Sequence, residues 1–444
     1  MNQEKRYIQK RIWKARLQSI PFYLCRIFPV RKNKIVFCCI EGTTGYTCNP
    51  KYIAEELVCR NRNIGQIKNN KNLPDTALEK SRQYELVWLV NDTSKKFPAE
   101  IKAVRNTLWN RAYHLSTAHF WIDNSRKQLE ARKRKGQIYI QTWHAKLGFK
   151  PTGLDRGASF SKIAYLVTKH DSDMIDYWLS NSDWYDNTLP TGSIYEGDTL
   201  RTGSPRCDIL VRAKNDAEYK AQIKRQLIER FKAANACISG LEMPQQQQTQ
   251  INEDEIHFLM YAPTFRGGSQ GTNREIAAGQ GFPDYKRLIE SMEKRFGGTW
   301  IVLLRLHPQL VARNLDLEIA ESLTELQGKV ISASRIDDMY EILAGCDAFI
   351  TDYSSAAFDA AVMEIPIFLY ADDYAEYEGE RGRLLWNLRE LPFPLAVNNE
   401  ELEDRIVSFD EDEYIRKLKE LFEETGMVED GCAAKRVVEW IMRQ

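Results

Sequence analysis

The residues best able to do chemistry fall at the ends of apolar runs. In YIQTWHAKLGFK, residues 139–150, a strand-like pattern stops at His144, directly before a glycine-containing loop. A histidine held there can take a proton from an incoming hydroxyl at neutral pH, a role worth roughly 10²- to 10⁴-fold in rate. In ITDYSSAAFD, residues 350–359, a second strand runs through Thr351 and Asp352 into a small-residue helix at Ser354 and Ser355. Backbone N–H groups at a helix start suit phosphate oxygens, and hydroxyls add hydrogen bonds without adding charge. The same residue types also serve as ordinary helix caps.

Two further strand ends carry cations. Arg266 closes YAPTFR, and Arg305 and His307 lie in RLHP; they are the groups expected to neutralise a diphosphate. Together these residues describe in-line attack at phosphorus, in which positioning and charge neutralisation carry most of the catalysis. His144 and His307 are the catalytic candidates, and Arg266, Arg305, Thr351, Asp352, Ser354 and Ser355 the donor-phosphate candidates. The other histidines, at 114, 119, 170 and 257, sit at element junctions and read as structural. Asp171-Ser172-Asp173 resembles a metal-binding DxD but reads more naturally as a polar turn.

These residues must be positioned by a scaffold of alternating strands and helices. KIVFCCI, YELVWLV, AHFWIDN, QIYIQTWH and AYLVTKH read as strands of a first mainly parallel sheet, with DTLRTGSPRCD closing the series. IHFLMYAPTFR, TWIVLLRLHP, GKVISA, CDAFITDYSS and IPIFLY form a second series. The reading is an α/β chain of two doubly wound Rossmann-like domains facing a cleft. Its parts are a basic amphipathic segment at 1–33, an N-terminal acceptor domain at 34–212 and a donor domain at 213–410. A helix at 411–444 closes the chain, and a low-complexity loop at about 239–255 interrupts the donor domain. Open α/β sheets bind ligands beyond the carboxyl ends of their strands, where these residues fall.

Composition limits the function. Lys plus Arg and Asp plus Glu are equal at 62 each over 444 residues, so no global field draws the chain to nucleic acid. Nine cysteines show no CxxC pair or disulfide framework, which fits a reducing cytosol. No stretch approaches a membrane span, and no GxSxG, HExxH or P-loop pattern occurs. Nothing in the pattern demands a metal. Residues 1–34 hold ten Lys or Arg against one acid, and Trp13, Leu17, Ile20, Leu24 and Ile27 share one helical stripe. That pattern suits an anionic membrane surface, with Pro21 breaking or kinking the helix.

The ordered motifs GYTCNPKYIAEEL, QTWH, GSPRCD, YAPTFR, RLHP and ITDYSSAAFD with IPIFLY, spanning about residues 35–400, resemble the CDP-glycerol glycerophosphotransferases of teichoic acid synthesis. The resemblance implies a GT-B-like fold and transfer of a polyol phosphate from CDP-glycerol or CDP-ribitol, releasing CMP. The acceptor it implies is a lipid-linked or polymeric hydroxyl at the inner face of the membrane. It implies His144 as general base, Arg305, His307, Thr351, Ser354 and Ser355 as donor-phosphate contacts, and Asn49, Pro50 and Lys51 as a loop near the cleft. Lys146 joins the acceptor side because Ala145 and Lys146 depart from the glycine and small hydroxyl residue that commonly follow TWH. Cys207 departs likewise, standing where GSPRND is usual. A GT-B sugar transferase and a non-catalytic membrane-associated scaffold remain alternatives.

Overall fold

The computed structural model describes residues 3–69, 83–239, 255–264, 282–306, 311, 314–323, 326, 328–375, 377 and 384–444. They form two compact units. The first comprises 1–146, 151–208 and 425–444, and the second comprises 147–150 and 209–424. The chain therefore leaves the first unit just after Lys146, gives four residues to the second, and returns at Pro151.

The first unit is built on seven parallel strands: β1 (Arg31–Cys38), β2 (Glu85–Val90), β3 (Ile101–Arg105), β4 (Ala118–Asp123), β5 (Ile138–Gln141), β6 (Tyr177–Ser180) and β7 (Asp198–Arg201), in the order β3-β2-β1-β4-β5-β6-β7. Both faces of the sheet are covered, which explains why its strands are nearly continuous apolar runs. Ile35, Phe37, Leu86, Trp88 and Val90 point to one face, where Val437, Val438 and Ile441 of the C-terminal helix Ala433–Arg443 join them. Val36, Cys38, Val87 and Leu89 point to the other, packed with Leu115, Trp121, Tyr139 and the N-terminal residues Phe22 and Cys25.

The second unit has six parallel strands: β8 (Ile256–Tyr261), β9 (Thr299–Leu304), β10 (Val330–Ser332), β11 (Ala348–Thr351), β12 (Ile367–Tyr370) and β13 (Leu395–Ala396), in the order β10-β9-β8-β11-β12-β13. Each sheet reverses direction once, between β1 and β4 and between β8 and β11, and those crevices are the natural ligand sites.

Several elements differ from the sequence reading. AYLVTKH lies in a helix, Lys162–Ser172, whose start is capped by the Ser161 hydroxyl accepting from the Ala164 amide at 3.3 Å. A short apolar run has no period that separates strand from helix, and the cap decides it. Strands β3, β6 and β13 are short and escaped notice. The single closing helix is two, Glu411–Thr425 and Ala433–Arg443, because Gly426 and Gly431 adopt positive φ of 62° and 80° between them. The low-complexity stretch at 240–254 lies outside the described residues.

The N-terminus follows its pattern. Helices Gln3–Gln18 and Ile20–Leu24 are separated just before Pro21. Trp13, Leu17, Ile20, Leu24 and Ile27 are all exposed, while Ile8, Ala15, Phe22 and Cys25 are buried. The stripe identified from spacing therefore faces solvent rather than the protein.

Candidate active site

Beyond β5 the backbone turns through Trp143 at φ 50°, a left-handed conformation rare for a bulky side chain. Side chains from distant positions hold it there. The Trp143 amide donates to Gln141 Oε1 at 3.0 Å, and Asn49 Nδ2 donates to the carbonyls of Thr142 and Trp143 at 3.3 and 2.8 Å. The Arg206 guanidinium donates to the His144 carbonyl, and the Arg206 amide donates to Asn49 Oδ1 at 3.0 Å. Nearby, Ile40, Glu41 and Cys48 also have positive φ. Asn124 Oδ1 and Ser125 Oγ accept from the Ile40 and Glu41 amides at 2.8 and 2.9 Å. Each such residue costs on the order of 1–3 kcal/mol, so the cluster persists only because its surroundings over-determine it.

His144 emerges from this turn as an exposed residue. Its Nδ1 lies 2.7 Å from the Asn124 carbonyl, which can only accept. The neutral ring therefore carries its proton on Nδ1, leaving the Nε2 lone pair as the basic position. The Trp143 ring lies 4.6 Å away, tilted by 31°, and restricts the imidazole. Surrounding protein mass holds its pKa down to about 4, aided by the charges of Arg206 and Arg126 and opposed by the Asn124 bond and Asp123. The ring is thus neutral at pH 7, and anionic substrate beside the two arginines would raise its basicity.

The surrounding charge is cationic. Arg126 stacks over Trp143 at 4.5 Å. Lys146 is buried, its ammonium donating to the carbonyls of Thr142 and Leu179, and burial pushes its pKa down to about 7. Asp123 is paired with Lys127. Burial raises the Asp171 pKa to about 7; one of its oxygens accepts from the Lys127 amide and the Tyr139 hydroxyl at 2.9 and 3.1 Å.

In the second unit, Thr351 and Asp352 tie together the two strands flanking the reversal point. Thr351 Oγ1 donates to the Ala262 carbonyl at 2.7 Å. The buried Asp352 carboxylate accepts from the Thr264 amide at 3.0 and 2.9 Å and from its hydroxyl at 3.0 Å. Ser354 Oγ accepts from the Ala356 amide at 3.3 Å, and Ser355 is half-buried without a capping bond. The helix that follows is short, Ala356–Ala360 continued by a 3-10 turn, so its dipole is weaker than that of a long helix. Leu147–Lys150 packs in this unit: Phe149 lies 4.8 Å from Phe358, and Trp386 Nε1 donates to the Gly148 carbonyl at 3.0 Å.

Of the residues singled out from sequence, His144 and Asn49 meet in one turn, whereas Arg305 is turned to structural use. Its guanidinium donates to the carbonyls of Ala333, Ser334, Ile336 and Asp337, fastening the loop after β10. Arg266 and His307 lie outside the described residues. Lys51 is buried, 4.8 Å from the Tyr52 ring and 3.9 Å from Glu55. Lys146 also turns inward. Asp171, expected in a turn, ends a helix. His114 and His119 sit at the expected helix-to-strand junction, and His257 begins β8 stacked on Trp300. Sequence reasoning missed Arg126 and the roles of Asn124 and Arg206; Asn124 ends the quoted strand AHFWIDN and Arg206 lies in GSPRCD, while Arg126 lies in no quoted segment.

The sequence profile of CDP-Glycerol:Poly(glycerophosphate) glycerophosphotransferase matches residues 20–230 and 242–443. The chain belongs to this glycerophosphotransferase family. Relatives include the teichoic acid poly(glycerol phosphate) polymerase of Bacillus spizizenii, 24% identical over 96% of this chain and 96% of that protein. The teichoic acid glycerol-phosphate transferase of Staphylococcus aureus is 28% identical over 73% of this chain and 76% of its own length. The poly(glycerol phosphate) polymerase of Staphylococcus epidermidis is 25% identical over 92% of this chain, and the chain spans only 50% of that protein. The solved wall teichoic acid polymerase TagF shares the GT-B-like fold of this chain, with TM-score 0.69 and 23% identity over 99% of this chain and 96% of that one.

Proposed function

We propose that this chain transfers glycerol phosphate, or a related polyol phosphate, from a CDP-activated donor to a hydroxyl of a teichoic acid or capsular acceptor, releasing CMP. The observation that carries the mechanism is the His144 ring: neutral, with Nδ1–H committed to a carbonyl and Nε2 left basic. His144 takes the proton of the acceptor hydroxyl as its oxygen attacks the phosphorus bearing the polyol. The phosphorus–oxygen bond to CMP breaks, and CMP leaves with the electron pair. Ser354 and Ser355, with Arg266 and His307, are assigned to the donor phosphates on their motifs; Thr351, Asp352 and Arg305 shape the strand ends that carry them.

Incubation with CDP-glycerol, CDP-ribitol and UDP-sugars plus a membrane extract tests the donor class. CMP release from a CDP-polyol is the expected result, and UDP release without CMP would overturn it.

The same reading puts the protein at an anionic membrane surface, supported by the exposed Trp13, Leu17, Ile20, Leu24 and Ile27 among ten basic residues in the first 34. No helix among the described residues is long and apolar enough to cross a membrane.

A further inference from the structure

We propose that Arg126, stacked on Trp143, is an anion subsite that holds a phosphodiester of the acceptor polymer and presents its terminal hydroxyl to His144. The inference rests on the transfer reaction proposed above and adds a residue that no motif marks. Arg126 lies in the loop beyond β4, beside the point where the first sheet reverses. Its guanidinium is half-buried and stacks 4.5 Å from the Trp143 ring centroid. Among the described residues it forms no hydrogen bond and no ion pair. Every donor of the guanidinium fork is therefore available to a ligand.

That condition separates Arg126 from the cations around it. Lys127 is paired with Asp123, Lys133 with Asp176 and Arg111 with Glu130. Arg206 and Lys146 are spent on backbone carbonyls. A half-buried guanidinium is costly without a countercharge, and burial depresses its pKa, with Asp171 the largest opposing influence. An arginine fork offers parallel N–H bonds that match two oxygens of a phosphodiester.

The placement also fits the chemistry. Trp143 touches both groups, the imidazole centroid lying 4.6 Å and the guanidinium carbon 4.5 Å from its ring centroid. In a polyol-phosphate polymer the reacting hydroxyl and the nearest phosphodiester are a few bonds apart, so one rigid tryptophan spaces the two points of recognition. Asp123 and Arg206 complete the charges facing His144, and neither has a free fork to offer in place of Arg126.

The test measures CMP release by wild type, Arg126→Lys and Arg126→Gln with a CDP-polyol donor and two acceptors, a short glycerol-phosphate oligomer and free glycerol. Circular dichroism confirms folding. A charged hydrogen bond of this kind is worth about tenfold to a hundredfold in affinity, so Arg126→Gln should raise the oligomer KM by that factor. Arg126→Lys should recover part of it, the donor KM should move less than threefold, and the penalty should shrink on glycerol, which has no phosphate. An unchanged oligomer KM, or a rise confined to the donor KM, would overturn the subsite. Calorimetric titration of the three proteins with sn-glycerol 3-phosphate reads the subsite without turnover. Weaker binding to Arg126→Gln supports it even if wild type turns over no CDP-polyol, in which case the proposed reaction alone fails; equal binding to all three sinks the subsite.

Discussion

The two sheets have the same strand order around their reversal points, yet the loops beyond them are built differently. In the first unit the loops carry four strained non-glycine residues, Ile40, Glu41, Cys48 and Trp143, held by side chains from far along the chain. In the second, Asp352 and Thr351 join neighbouring strand ends through short, ordinary hydrogen bonds, and none of residues 348–356 has positive φ. On the proposed mechanism, strain is retained where one reacting atom must be aimed, at His144 Nε2, whereas a surface proposed to grip several phosphate oxygens is assembled from relaxed backbone.

The sharpest way to break that contrast is at Arg206. Arg206→Met removes the bond to the His144 carbonyl and a cation beside the ring, so kcat/KM should fall roughly 10- to 100-fold in the CMP-release assay while unfolding stays cooperative. A loss no greater than twofold would mean that the turn does not need its supports.

Asp352→Ala should act mainly on stability. It strands the Thr264 amide, a loss of about 1–3 kcal/mol read from denaturant or thermal unfolding. An unchanged midpoint would show that the clamp is dispensable.

The pH profile gives a finer reading. His144 must be neutral to accept a proton, and its folded pKa is held below the usual value, to about 4, so activity is lost only as pH falls through that lowered value. The acid limb of kcat/KM should therefore lie below pH 6.5 in wild type and move upward in Arg206→Met, where one depressing charge is gone. An acid limb at or above pH 7 in wild type contradicts the neutral-base assignment.

The smallest effect is expected at the N-terminus. Trp13→Glu with Leu17→Glu should weaken sedimentation with anionic vesicles by roughly threefold to tenfold and spare unfolding, since both side chains are exposed. Truncating residues 1–30 is a poorer probe, because it also removes Phe22, which is fully buried in the first core.

Much of the fold is legible in the sequence, since buried parallel strands must be apolar runs and their alternation with amphipathic stretches leaves few topologies. The failures are local: AYLVTKH is short enough to satisfy either period, and only its Ser161 cap distinguishes it. His144 is legible as a strand-end histidine after an aromatic residue. Its supports are not, because Arg206 reaches it from 62 residues away and Asn49 meets the same turn from 94. Arg126 sits in DNSRK among residues typical of a solvated loop, and nothing in its spacing separates it from the paired Lys127. Conversely, Arg305 has the composition of a phosphate ligand and the geometry of a loop fastener.

The central claim is that His144 accepts the proton of the incoming hydroxyl. Its most direct test is a single-turnover measurement of CMP release from bound CDP-glycerol by wild type and His144→Gln, with donor affinity determined on the same samples. The account predicts equal donor affinity and a rate lower by roughly 10²- to 10⁴-fold in the variant. A variant that releases CMP at the wild-type rate, or that loses donor binding in proportion to rate, contradicts it.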